Sequence, residues 1–372
     1  MNQKEFQKFV SYLVENYKVY SPQEEEGQTI IKELSDAKEA ALIKKLPFYA
    51  WKKFFVPEEE TLFEYENEQL TPPLPPPPIQ TGNQVACNFF EIKKRGIREK
   101  VALLGINVLD LRAVLLYDLV FASDPYYQAR RENILIIGFG PEVELADGII
   151  RKIEERDLAH LPFDIFLYHC HPERSGAETK DLVTSAEILP PHQVRGQNDK
   201  KAFLKVFVAT QKGKKVLDEI RYKNYEKIEF IGHKYDDFLE CKMNLRRDKM
   251  KNHHNPKIWE KLGKICLECG KCTIACPTCF CFRIDDSSSL KTDCGTRQRC
   301  WDSCFYQEFS EITGAHKFLN NTAQRIHFWY FHKFARIPDE YKMMGCVGCN
   351  RCHQVCPVGI DIKEVLEKIE KS

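Results

Sequence analysis

CLECGKCTIACP, residues 266–277, and CVGCNRCHQVCP, residues 346–357, are one pattern written twice: Cys-x2-Cys-x2-Cys-x3-Cys-Pro. Two-residue spacings let a short loop bring three thiols and several backbone N–H groups around one centre. The fourth cysteine, three residues on, begins to leave that loop, and the following proline has no N–H to donate and turns the chain away. The chain holds 16 cysteines in 372 residues, and only Cys87, Cys170 and Cys241 precede residue 266. The opening MNQKEFQKFV lacks the long apolar core of a secretory signal, so a cytoplasmic location is expected. In a reducing compartment, clustered cysteines mean metal or redox chemistry rather than disulfides.

The repeated pattern is the bacterial run for a [4Fe–4S] cluster, and in two-cluster proteins the fourth cysteine ligates the other cluster. The expected ligand sets are Cys266, Cys269, Cys272 and Cys356 for one cluster, and Cys346, Cys349, Cys352 and Cys276 for the other. Zinc also binds Cys-x2-Cys pairs, but four cysteines in so compact a run followed by proline, twice, is not a zinc-ribbon pattern. Further cysteines lie between the motifs. Cys279, Cys281 and Cys304 are candidate extra ligands, though burial alone explains many free cysteines and with Cys294 and Cys300 they also read as packed thiols. The basic residues Arg297, Arg299, His316, Lys317, Arg325, His332, Lys333 and Arg336 either face an anionic cluster, favouring its reduction, or form a solvated helix face.

Residues 277–345 separate the motifs, far more than a compact ferredoxin requires. The spacing of Phe305, Phe309 and Ile312, and of Phe328, Phe331 and Phe334, is helical, which predicts an all-helical dicluster, ferredoxin-like domain over 241–372. The helix PKIWEKLGKI leads into the first motif, with Asn255 as N-cap and Pro256 at its first position.

Residues 100–240 alternate short apolar runs with helical patterns, which predicts an α/β domain with a largely buried sheet. Strands are expected at Val101–Leu104, Ile134–Ile137, Phe163–Tyr168, Lys205–Ala209 and Ile228–Ile231. Helices are expected at Leu111–Phe121, Val143–Ile153 and Lys214–Ile220. Gly138 and Gly140 in GFGPE fall short of a dinucleotide-binding pattern and suggest an ordinary strand-to-helix turn. His169, Cys170 and His171 form a strand end, since alternation points neighbours to opposite faces. Residues 1–70 are expected to be helical, with runs around Phe6–Leu13 and Thr29–Lys45. Residues 71–99 form a Pro-rich connector with six prolines in 72–78. The whole is an α+β multidomain chain.

The hydrophobic fraction of 43% suffices for real cores, while 55 basic against 54 acidic residues exclude nucleic-acid binding by bulk charge. Val101–Phe121 is broken by Asp110, Arg112 and Asp118, so no membrane span is expected. No paired acid and base or Ser–His–Asp set stands out, so no catalytic residue is assigned.

CLECGKCTIACPTCFCF, RCWDSCFYQEFSEITGAHKF, RIHFWYFHKF and GCVGCNRCHQVCPVGIDI closely resemble the β subunits of sulfhydrogenases, the iron–sulfur subunits of cytosolic group 3 nickel–iron hydrogenases. These are similar in turn to the A component of anaerobic sulfite reductase. FFVPEEETLFEYE, LGINVLDLRAV and FASDPYYQARRENILIIG follow the family's earlier segments in order. The resemblance implies an electron relay between a flavin-bearing, NAD(P)-binding partner and the hydrogenase small and large subunits. The alternatives are the A component of an anaerobic sulfite reductase, or a cluster-containing scaffold or redox sensor. One departure matters. The family usually reads Arg-Pro-Cys-Asp where this chain has Asn107-Val108-Leu109-Asp110, and it carries cysteines shortly after GFGPEVELADG. Those cysteines are associated with an additional amino-proximal cluster, and their absence sets the expected number of clusters at two rather than three.

Overall fold

The computed structural model describes residues 1–66, 69–71, 100–140, 142–145, 150–169, 204–232, 247–251, 256–288 and 294–371. The proline run, Cys87, Cys170, His171 and Cys241 lie outside them. The chain forms two compact units that alternate along the sequence: Met1–Tyr49, Glu99–Leu115 and Ile134–Lys234 in the first, and Ala50–Arg98, Leu116–Asn133 and Tyr235–Ser372 in the second.

The first unit opens with the helix Gln3–Asn16, whose buried face is Phe6, Phe9, Val10 and Leu13, as the spacing predicts. Asn2 and Glu5 form a reciprocal cap: Asn2 Oδ1 accepts the Glu5 N–H at 3.0 Å, and the Asn2 N–H donates to Glu5 Oε2 at 2.7 Å. The second expected helix is not there. Lys18–Glu25 and Gln28–Glu33 pair as an antiparallel hairpin, followed by a single 3₁₀ turn at Ala37–Glu39. The turn of that hairpin holds Glu26 and Gly27 at positive φ, and the β-branched Thr29, Ile30 and Ile31 after it suit a strand.

These two strands join a seven-stranded sheet. Its order is Glu226–Lys227, Leu204–Val208, Ile165–His169, Ile134–Gly140, Val101–Ile106, Lys18–Glu25, Gln28–Glu33. The central neighbours are parallel; Leu204–Val208 runs antiparallel to Ile165–His169 but parallel to Glu226–Lys227, and Gln28–Glu33 runs antiparallel to Lys18–Glu25. Ile134–Gly140 is buried throughout, as expected of a strand covered on both faces. Gly138 belongs inside it, because a Cβ there would lie 2.4 Å from the Phe166 ring. The strand does not turn into a helix. Residues 143–153, expected as a helix, contribute the short antiparallel strands Glu142–Glu144 and Ile150–Lys152. Ile228–Ile231 is not a strand either; pairing ends at Lys227, and Ile231 is 65% exposed.

Asn107 opens the helix that follows the Val101–Ile106 strand. Its Oδ1 accepts the N–H groups of Leu109 at 3.0 Å and Asp110 at 2.9 Å, and its Nδ2 donates to Asp110 Oδ2 at 2.7 Å. Asn107 thus caps the helix Val108–Val120, and Leu109 is a buried apolar residue.

The second unit is not all-helical. A four-stranded antiparallel sheet has the order Phe282–Ser288, Cys294–Trp301, Glu59–Glu66, Gln69–Thr71, so two of its strands lie between the cysteine motifs. Phe305, Phe309 and Ile312 fall in turns and the two-residue hairpin Glu311–Ile312/His316–Lys317, not on a helix. Buried Arg299 ties this sheet down: its Nε donates to Glu60 Oε2 at 3.1 Å, and it pairs with Asp124. Its helices include Pro256–Ile265, Thr322–Phe331 and Ile362–Lys371. The last buries Ile362, Val365, Leu366 and Ile369, a helical stripe against a core of Trp259, Ile326, Trp329, Tyr330 and Phe334. Among the described residues no helix is long and apolar enough to cross a membrane.

Candidate metal centre

Both cysteine loops fold alike, residue for residue. Glu268 and Gly270, on either side of Cys269, have φ of 53° and 68°; Gly348 and Asn350, on either side of Cys349, have 72° and 64°. Alternating left-handed residues curl each loop tightly, the backbone form that gathers N–H groups on a concave face for an anion. A single short turn of helix comes next, Lys271–Ile274 in one and Arg351–Gln354 in the other.

The first loop borders an apolar cavity with about 570 Å³ of empty space, counting its open mouth. Cys266, Cys269, Cys272, Cys352 and Cys356 line it, with Phe305, Ile326, Trp329 and Tyr330 around them. Cys276 is not on its wall. Backbone N–H groups already point at two of the sulfurs, Glu268 to Cys266 at 3.4 Å and Ile360 to Cys356 at 3.3 Å. Two further donors on the lining residues, Trp329 Nε1 and the Tyr330 hydroxyl, are buried and find no acceptor among the described residues. A sulfur-rich anion in the cavity would offer them acceptors, so the residues present suit a thiolate-bound iron–sulfur cluster. Among the described residues, no three Cys, His, Asp or Glu side chains converge on a single metal ion.

Burial raises the Cys266 and Cys272 thiols above their ordinary range, and burial beside Cys346, Cys276 and Cys349 raises Cys352 well above it. Bringing thiols together away from water disfavours the thiolate until a cation replaces the protons. Cys276 runs the other way. A hydrogen bond from Cys279 holds it well below its ordinary range, against the cost of burial and with help from Lys333 and Thr278.

Lys333 is one of the basic residues the sequence leaves undecided between an anionic cluster and a solvated face. Its Nζ donates to Cys276 Sγ at 3.2 Å, to Thr278 Oγ1 at 3.0 Å and to the Gly345 carbonyl at 3.0 Å. Burial works against its charge, but Cys276, Cys279 and Cys346 outweigh that and hold the ammonium well above its usual range. The other basic candidates mostly face carboxylates. Arg297 pairs with Asp286, Arg299 with Glu60, Lys317 with Glu311, Arg325 with Glu268 and Arg336 with Glu340. The Arg325 pair still serves the site, because Glu268 belongs to the first loop and Arg325 Nε reaches it at 3.0 Å. His332 stacks on Phe328, and burial, with Lys333 and Arg336 nearby, lowers it to about 4.

The additional cysteines separate into two groups. Cys279, Cys281 and Cys304 are mutual neighbours beside Cys276, with Cys281 and Cys304 sharing a hydrogen bond. Cys300 instead neighbours Asp285, Arg283 and Glu59, and Cys294 begins the same strand. Sequence reasoning missed Lys52, which is buried with its Nζ 3.6 Å from the centre of the Trp301 ring and has Cys279, Cys276 and Cys281 as electrostatic neighbours. Burial lowers its basicity. Nothing in the sequence around Lys52 marks it, since it lies far from either motif.

Two matching cysteine loops, the first bordering a thiol-lined cavity with unsatisfied donors, are what an iron–sulfur protein presents. The family model of the 4Fe-4S dicluster domain matches residues 265–360. Beyond that domain, the chain is 24% identical to sulfhydrogenase 2 subunit beta of Pyrococcus furiosus over 98% of its own length and 96% of the relative's. The resemblance drawn from the motifs therefore runs the length of the chain. No solved structure matches it.

Proposed function

We propose that this chain is the iron–sulfur electron-transfer subunit of a nickel–iron hydrogenase-type complex, working between a partner that binds flavin and NAD(P) and the hydrogenase small and large subunits. In this reading Cys266, Cys269, Cys272 and Cys356 hold one [4Fe–4S] cluster, and Cys346, Cys349, Cys352 and Cys276 hold the second. Bound clusters would supply one-electron storage at each site. The protein's part is to orient the thiols, keep water from the sulfurs and place charge beside them. The observation that carries the reading is the sorting of the two fourth cysteines. Cys356 lines the cavity of the first loop, and Cys276 is absent from that wall. Cys276 has Lys333 bridging it to Gly345, the residue before Cys346. The full-length likeness to a sulfhydrogenase beta chain favours the hydrogenase reading over a sulfite reductase.

Anaerobically purified chain should carry about eight iron and eight sulfide, two four-iron clusters' worth. About twelve iron would add a third cluster and bring in Cys279, Cys281 and Cys304. Purification of the native complex should yield nickel-containing and flavin-containing partners; co-purification with a sirohaem protein instead would overturn the hydrogenase assignment.

A further inference from the structure

Lys333 is almost fully buried, yet none of its three hydrogen-bond acceptors is a carboxylate: they are a sulfur, a hydroxyl and a carbonyl. A buried ammonium needs a compensating negative charge, and removing one partner of such a pair is strongly unfavourable. Cys276 Sγ is the acceptor among the three that can carry that charge. The network is closed on every side. Thr278 Oγ1 donates to the Gly345 carbonyl at 2.7 Å and lies 3.1 Å from Cys276 Sγ, and the Gly345 N–H donates to the Lys333 carbonyl at 3.0 Å. Gly345 has no room for a side chain, since a Cβ would stand 2.8 Å from both the Lys333 Cα and its carbonyl oxygen.

The backbone is adapted to bring Lys333 there. Thr322–Phe331 is α-helical, His332–Arg336 widens into a π-type turn, and Ile337–Tyr341 resumes the helix. Pro338 accounts for the widening, because it has no N–H and its ring clashes with the carbonyl four residues earlier. Such turns recur at functional sites, where they redirect a side chain. Of the three acceptors of the redirected ammonium, Cys276 lies in the first motif, Thr278 follows that motif directly and Gly345 directly precedes the second.

We infer that Lys333 is a positioning residue that sets the reduction potential of one cluster of the pair, by directing its ammonium hydrogen bond onto the sulfur of Cys276. The inference rests on the ligand sets proposed above. A hydrogen-bonded cation at a ligand sulfur favours the more negative, reduced state, so Lys333 raises the potential of the cluster that includes Cys276 relative to that of Cys356. Lys333 thereby makes two motifs of identical spacing unequal as electron sites.

The test is an EPR-monitored redox titration of the full-length chain purified anaerobically, in wild type and Lys333→Met. Loss of one signal in Cys276→Ser identifies the affected cluster. In Lys333→Met that cluster should become harder to reduce by about tenfold in its equilibrium constant, ~59 mV for a one-electron couple. The other cluster should shift by much less, and iron content should be retained. Equal shifts in both clusters, or none in either, would overturn the inference while leaving the cluster assignment standing. Absence of cluster signals from the wild-type chain would instead remove the assignment itself. Should Lys333→Met lose its cluster, the wild-type chain labelled with 15N-lysine provides the decisive measurement. A hyperfine coupling from lysine nitrogen to the Cys276 cluster supports a role at the sulfur, and its absence overturns it.

Discussion

The two cysteine loops share spacing and backbone conformation, but not surroundings. In the first, Leu267 is 64% exposed, Cys269 is exposed and Lys271 faces water. In the second, the counterparts Val347, Cys349 and Arg351 are all buried, Arg351 completely. The first loop is held from the side by Arg325 on Glu268, and the second by close packing of Gly345 on the backbone of Lys333. A local pattern can therefore build the same ligand cradle twice while packing decides which one meets the outside. Under the proposed function, the first loop presents the exposed thiol, and hence the shorter path to a partner.

The largest effect should come from exchanging the fourth cysteines. Cys276→Ser should cost the second loop its cluster and spare the first, and Cys356→Ser should do the reverse, each lowering iron by about half. EPR of the two variants should give complementary spectra. Loss of the same signal in both would break the crossed arrangement.

Next comes the clamp on the first loop. Arg325→Met leaves the Glu268 carboxylate without its cation, with Gln307 and Thr322 still bonded to it, and should destabilise by ~2 kcal/mol, read as a lowered melting temperature. Arg325 is itself buried, so the loss should survive moderate salt, unlike that of a surface pair.

Copying the second loop into the first sharpens the comparison. Gly270→Asn introduces the residue found at position 350, where Asn is already accommodated at positive φ. At 270, however, a Cβ would lie 2.7 Å from the Tyr306 ring. A loss of ~2 kcal/mol is expected, and Tyr306→Ala in the same chain should recover part of it. Strict additivity of the two substitutions would show that the Tyr306 ring is not the obstacle.

The smallest effects contrast matched apolar positions. Leu267→Ser should change stability by less than ~0.5 kcal/mol, since the side chain is largely in water. Val347→Ser, at the equivalent buried position, should cost ~2 kcal/mol by losing apolar burial and placing a hydroxyl in the interior. Denaturant unfolding of the two variants side by side measures the difference directly.

The parts that were legible in the sequence share a physical origin. The N-terminal helix, the Val101–Ile106 and Ile134–Gly140 strands and the helix before Cys266 each arise from apolar periodicity or a cap, both short-range signals. The errors came where a short pattern is ambiguous. Residues 29–45 and 143–153 carry apolar spacing that fits a helix, but strand partners drew 29–33, 143–144 and 150–152 into ladders, the first with β-branched residues. Phe305 and Phe309 keep helical spacing yet sit in turns, because their rings pack onto Trp329 and Phe328 from the loop.

The sequence by itself determined the two cysteine motifs that the 4Fe-4S dicluster domain spans. Cys-x2-Cys-x2-Cys-x3-Cys-Pro constrains a loop through bond lengths and a missing N–H, and those constraints act over a dozen residues. Only the tertiary structure decided what surrounds each loop. Asn107 caps a helix and Leu109 is buried beside it, and a strand pair stands between motifs expected to be joined by helices alone. Of the basic residues, it paired Arg297, Arg299, Lys317, Arg325 and Arg336 with carboxylates and turned Lys333 inward to sulfur. The physical reason is range. Charge and burial depend on which distant segments meet, and Lys333 finds Cys276 fifty-seven residues away because a π-type turn and a glycine let two backbones close on each other.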